Sequence, residues 1–174
     1  MNELLIQGAD VLQCDSRGCR VVRDHDIHIA GNLITAVEPA GGTEAAAGIE
    51  VIPAQGLLAM PGLINTHAHV PMGIFRGLAE DVDIATWFNE YIWPLEANLT
   101  PEDVYWGMQL GLAEMIAAGV TSVADHYFHM DRVAAAVERA GTRAALGWAV
   151  FGSQGDEGVE QTASFAEEFD GAAE

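Results

Sequence analysis

Apolar and polar positions alternate loosely over residues 3–14, the period of a strand on a half-buried sheet. The same period returns over 26–30 and 33–38, split by Gly31-Asn32, a pair compatible with a type I′ hairpin turn. Residues 40–48, rich in Gly and Ala with Thr43 and Glu44, read as a flexible surface loop. Two short extended pieces follow at 50–53 and 56–60, then a more apolar strand at 62–67. Beyond it the pattern becomes an alternation of strands and helices, with no other internal repeat. Residues 70–99 form a long connection. Its middle, 84–95, carries Trp87, Phe88, Tyr91, Ile92 and Trp93 at spacings of three and four, which predicts a short amphipathic helix.

The next helix has a clear start and stop. Thr100 is a good N-cap, Pro101 suits the first helical position, and Glu102 and Asp103 favour the positive helix end. Val104, Met108, Leu112, Met115 and Ile116 make one face, and Gly119 takes the C′ role. A strand over 120–125, a helix over 131–140 closed by Gly141, a strand over 143–151 and a helix over 157–169 complete the pattern.

The candidate chemistry starts in Pro61-Gly62-Leu63-Ile64-Asn65-Thr66-His67-Ala68-His69. Leu63 and Ile64 suit a buried parallel strand, and Pro61-Gly62 marks the loop entering it. Residues i and i+2 of a strand share a face, roughly 7 Å apart at Cα. Two imidazoles so placed can converge on one ion at about 2.0–2.1 Å per Zn–N bond. On spacing alone the pair reads equally well as two ordinary histidines at a strand end. His25 and His28 lie among the early strands, and His28, on the face of Asp26, reads as a surface residue.

Composition narrows the classes. Half the residues are hydrophobic, and no apolar run approaches the roughly 18 residues of a membrane span. Met1-Asn2-Glu3 lacks the basic flank of a signal peptide, so a cytoplasmic location is expected. Twenty-six acidic against seven basic residues, all Arg, give a net charge of −19. Such a chain repels phosphate backbones and anionic lipid, which argues against nucleic acid or a membrane as partner. Cys14 and Cys19 could face each other across a hairpin, but in a cytoplasmic protein two reduced thiols are the expectation.

Gly56-Leu57-Leu58-Ala59-Met60 running into Pro61–His69 resembles the first barrel strand of the amidohydrolase superfamily. Ala9-Asp10-Val11-Leu12 and residues 26–37 resemble the opening strands of that superfamily's small β-sandwich. Pro71-Met72, Phe75-Arg76-Gly77-Leu78-Ala79-Glu80-Asp81, Trp87, Pro94-Leu95-Glu96 and Leu99-Thr100 are similar to one branch, that of the 5′-methylthioadenosine/S-adenosylhomocysteine deaminases and triazine hydrolases. The implied fold is α/β: N-terminal strands of an incomplete β-sandwich over 1–58, then a partial TIM-type (β/α)₈ barrel of about three βα units over 59–174. A full barrel takes about 250 residues, so the chain reads as the N-terminal part of a longer enzyme.

The resemblance implies a metal-dependent aminohydrolase acting on an adenosine-like nucleoside, with a triazine-type chlorohydrolase or guanine-type deaminase as the alternative enzyme. A non-catalytic fragment, or one half of a split enzyme, is the alternative outside catalysis. His67 and His69 would be the first two ligands of Zn²⁺, or alternatively Fe²⁺. The other ligands and the proton shuttle would follow later strands, outside this sequence, so no catalytic residue is assigned here. Glu96 matches the carboxylate that holds ribose hydroxyls, and Trp87 falls in the loop expected to shape the pocket. Trp148 stands where deaminases of homocysteine nucleosides place an arginine, so an uncharged 5′ group or a smaller base fits better, unless Trp148 is simply packing. Asp125, His126 and His129 follow the second barrel strand, where they could orient the pocket or, with Asp131 as cap, begin the next helix. The expected partners are a small nucleoside or heterocyclic amine, a C-terminal segment or complementary chain, and further copies of the full-length protein.

Overall fold

A computed structural model describes residues 3–42 and 48–171, in two compact units, Met1–Pro61 and Gly62–Glu174. The expected surface loop at 40–48 falls largely outside the described residues.

In the first unit, β1 (Glu3–Asp15) pairs antiparallel with β2 (Gly18–Ala30), which pairs with β3 (Leu33–Pro39). On its other side β1 takes β4 (Glu50–Pro53) and then β5 (Leu58–Ala59), both parallel. Ala9, Val11, Ile27 and Ala54 form the small core. The β1–β2 register shifts after Ile6, where Gly8 adopts φ 74°. Its freed N–H donates to Asp26 Oδ1 at 2.8 Å, and Gly41 N–H donates to Oδ2 at 3.2 Å. Asp26 is thus fully buried but satisfied, as a buried carboxylate must be. His28, expected at the surface, is half-buried and pairs with Glu38.

Two expectations are corrected here. Gly31 takes φ 63° but Asn32 does not enter the left-handed region, so the turn is not the type I′ form, which needs both. Cys14 and Cys19 form a disulfide: they are directly paired in the β1–β2 register, with Cα atoms 4.1 Å apart. The reduced state was expected from compartment, which says nothing about geometry.

The second unit is a parallel sheet in the order β6 (Leu63–Ala68), β7 (Val120–Tyr127), β8 (Arg143–Trp148). The β6–β7 connection holds a 3₁₀ turn (Val70–Phe75), a short helical segment and a long helix. That segment runs through α1 (Ile84–Thr86), a π turn (Trp87–Ile92) and α2 (Trp93–Glu96). The helix α3 (Pro101–Ala117) begins with a full capping box between Thr100 and Asp103 and ends before Gly119, at φ 79°. After β7 comes α4 (Met130–Ala140), and after β8 comes α5 (Gly155–Phe169). Val104, Met108 and Leu112 of α3 meet Val123 and Tyr127 of β7, Met130, Val133 and Val137 of α4, and Phe165 of α5. Among the described residues no helix is long and apolar enough to cross a membrane.

Differences from the sequence reading sit at element ends. Strand β7 runs on to Tyr127, whereas β8 stops at Trp148. Ile116 lies half exposed and outside the α3 core face. Asp131 does not cap α4; His129 holds the N-cap position in a left-handed conformation, φ 51°, with no side-chain cap.

Candidate active site

Strand β6 delivers His67 and His69 at its C-terminal end, and close helix packing holds them there. A Cβ on Gly107 of α3 would lie 2.7 Å from the carbonyl oxygen of Pro71, and one on Gly111 would meet Val70 Cγ1. The two glycines therefore let α3 lie directly against the 3₁₀ turn that follows His69.

The rings of His67 and His69 stand edge to face with centroids 5.7 Å apart. His69 Nδ1 is 2.9 Å from the backbone carbonyl oxygen of His126. A carbonyl oxygen only accepts, so Nδ1 carries the proton and Nε2 keeps its lone pair. That tautomer suits a metal ligand oriented by a carbonyl. The His126 ring lies beside it, centroids 4.6 Å apart. Asp125, only 4% exposed, accepts from Val70 N–H at 3.2 and 3.3 Å through its two oxygens, tying β7 to the turn after His69. Burial pushes its carboxyl up to about 6, against the opposing pull of the Val70 N–H bond, the neighbouring His69 and the His126 N–H bond.

A shallow depression of about 290 Å³ is lined by His67, His69, Asp125 and His126. A second, of about 330 Å³, shares His69 and His126 and extends to Glu96, Tyr127, Trp87 and Phe151. Of the candidates, His67, His69, Asp125, His126, Glu96 and Trp87 thus surround two adjoining spaces. His129 and Trp148 line neither. Trp148 packs edge to face on Phe165, centroids 5.7 Å apart. The larger cavity of about 480 Å³ between α4, β8 and α5 is mostly alanine and phenylalanine and brings no histidine to its wall.

Glu96 is not freely solvated. Tyr127 Oη donates to its Oε1 at 2.8 Å. The sequence reading missed Tyr127 because it ended the strand at Asp125; the alternation Val123, Asp125, Tyr127 was the available signal. As for metal, His67 and His69 offer two imidazole donors of the right type. Among the described residues no group of three His, Cys, Asp or Glu could hold an ion, and a catalytic zinc takes three protein ligands plus water. The donor set fits part of such a site.

Residues 58–173 match a family model described as the amidohydrolase family. A 5-methylthioadenosine/S-adenosylhomocysteine deaminase of Pelotomaculum thermopropionicum is 44% identical over 177 residues, 100% of this chain and 41% of that protein. The crystal structure of an adenosine deaminase from Xanthomonas campestris with bound zinc superposes with a TM-score of 0.76 at 31% identity, covering 97% of this chain and 40% of the other. A triazine hydrolase from Arthrobacter aurescens shares the fold, with a TM-score of 0.81 at 24% identity over 97% of this chain and 43% of its own. The chain spans about two fifths of the length of these relatives.

Proposed function

Since the chain belongs to the amidohydrolase family, we propose that it is the N-terminal part of a metal-dependent aminohydrolase that deaminates an adenosine-like nucleoside with release of ammonia. In this reading β6, β7 and β8 are the first three strands of a (β/α)₈ barrel, and the first unit supplies strands of a β-sandwich. The parallel order of β6–β8 and the family match that begins at residue 58 support that division near residue 58. The protein works in the cytoplasm and assembles into homo-oligomers.

His67 and His69 would hold a zinc ion together with ligands from later strands, and such an ion would supply a water whose pKa is lowered toward about 7. The chain's own groups prepare that site. The His126 carbonyl fixes the His69 tautomer, and Asp125 anchors the backbone at Val70. The aromatic wall of Trp87, Phe88 and Phe151 sheds water from the base and sugar. Glu96 accepts hydrogen bonds from the ribose hydroxyls, since an ionised carboxylate can accept from both members of a diol. The wall contributed by the described residues contains no arginine, so an uncharged 5′ substituent is preferred over one carrying a carboxylate.

The observation that carries this reading is Glu96 sharing one pocket with His69. A triazine has no ribose and no use for such a carboxylate. The test is Glu96→Gln in the catalytically complete protein, this chain joined to the C-terminal segment its relatives carry. Nucleoside KM should rise by about tenfold. An unchanged KM would remove the ribose role and favour the triazine-type or guanine-type alternative.

A further inference from the structure

We propose that Tyr127 is a positioning residue that pins Glu96 for a ribose cis-diol and sets its distance from the metal-binding end of the site. The proposal rests on the nucleoside reading of Glu96 and adds to it the group that makes the carboxylate selective. Glu96 closes α2, a single short turn in the long β6–β7 connection, whereas Tyr127 ends β7 in the middle of the parallel sheet. The donor is therefore the more firmly held partner. The Tyr127 backbone carbonyl accepts from Ala149 N–H at 2.9 Å, and its side chain is only 3% exposed. Its ring lies between Phe128, at 5.0 Å, and His69, at 6.5 Å between centroids. One rigid side chain thus contacts both the carboxylate and the neighbourhood of the metal-ligand candidate.

The chemistry of the bond leaves Glu96 competent to bind. Burial, the Glu96 hydrogen bond and the charges of Glu96 and Asp125 raise the phenol well above its ordinary range, so Tyr127 remains a donor wherever the enzyme works. It occupies one acceptor position on Oε1. No described residue donates to Oε2, and a carboxylate offers about four lone-pair sites. Two hydroxyls can still be accepted. Without the phenol, Glu96 would recover the rotamer freedom of a long side chain and lose its fixed direction on ordering a diol.

A bond that served only to satisfy a buried phenol would look the same in the structure, so the test must read substrate discrimination. In the catalytically complete protein, KM and kcat are measured for a 5′-deoxyribonucleoside and its 2′,3′-dideoxy analogue, in the parent, Tyr127→Phe, Glu96→Gln and the double variant. Tyr127→Phe should raise KM for the ribose substrate about three- to tenfold with kcat nearly unchanged, and leave KM for the dideoxy analogue alone. The double variant should be no worse than Glu96→Gln, because Tyr127 acts through Glu96. If Glu96→Gln lowers discrimination and Tyr127→Phe does not, the positioning role fails while the ribose reading stands. If Glu96→Gln has no effect either, the ribose reading itself fails. Loss of folded protein in Tyr127→Phe would assign the hydrogen bond to stability and overturn the proposal too.

Discussion

The residues most exposed to a test are those that hold His69 in place without touching a substrate. Gly107 and Gly111 of α3 carry no signal in the sequence, since glycine inside a helix only lowers its propensity. In the structure they are what allows α3 to approach the turn after His69. Gly107→Ala puts a methyl 2.7 Å from the Pro71 carbonyl oxygen and 3.0 Å from Ile74 Cγ2, so backbone must move. The helix-propensity gain of alanine, about 1 kcal/mol, works against an overpacking cost of about 1–3 kcal/mol. The expected net outcome is a lower urea midpoint with unchanged m-value, and a midpoint equal to or above that of the parent would show that the turn yields freely. His67 and His69 stand out as a pair because alternate residues of a strand share a face, but their reading as ligands comes from the resemblance and not from the spacing. Glu96 enters as a candidate only through the resemblance; alternation could place Tyr127 on the face of Asp125, but not its hydrogen bond to a residue 31 positions away.

Elements were easier to read than their ends. The helix α3 is specified locally: Thr100 Oγ1 accepts from Asp103 N–H, Asp103 accepts back from Thr100 N–H at 2.9 Å, and Pro101 loses no bond by its position. Thr100→Ala should cost about 1 kcal/mol at neutral pH. The pH dependence has a definite sign. The Thr100 hydroxyl and N–H hold the Asp103 carboxyl below its ordinary 3.8, so folding favours its ionised form. Stability from the box is full above that ordinary value and lost as pH falls through the lowered folded one. The gap between Thr100→Ala and the parent should therefore shrink in urea titrations run near pH 3 compared with pH 7. A gap independent of pH would mean that the bond from the Thr100 hydroxyl to the Asp103 carboxylate, at 2.6 Å, contributes nothing. By contrast, the start of α4 has no such local marker. His129 in a left-handed conformation has no sequence signature comparable to a Thr or Asp cap, and Asp131 offered a false one. The end of β8 misled for a related reason: Ala149 still donates to the Tyr127 carbonyl, so an apolar run continues where regular pairing has stopped.

At the scale of the whole molecule, the alternation of strands and helices marks an α/β chain, and that chain spans about two fifths of its relatives' length. Leu63 and Ile64 of β6 are 50% and 67% exposed although their strand has the composition of a buried one. Two imidazoles alone would leave a zinc ion mostly hydrated, because a catalytic site takes three protein ligands plus water. The purified 174-residue chain, analysed by mass spectrometry for metal after desalting, should hold well under one equivalent and release no ammonia from adenosine-type nucleosides. The His67→Ala/His69→Ala double variant should hold none. Joining the chain to the C-terminal segment of its relatives should restore both a full equivalent and turnover. A full equivalent in the isolated chain, abolished in the double variant, would instead require further ligands from a second copy. Metal content would then depend on protein concentration, and sedimentation of the metal-loaded chain would show the assembly that supplies them.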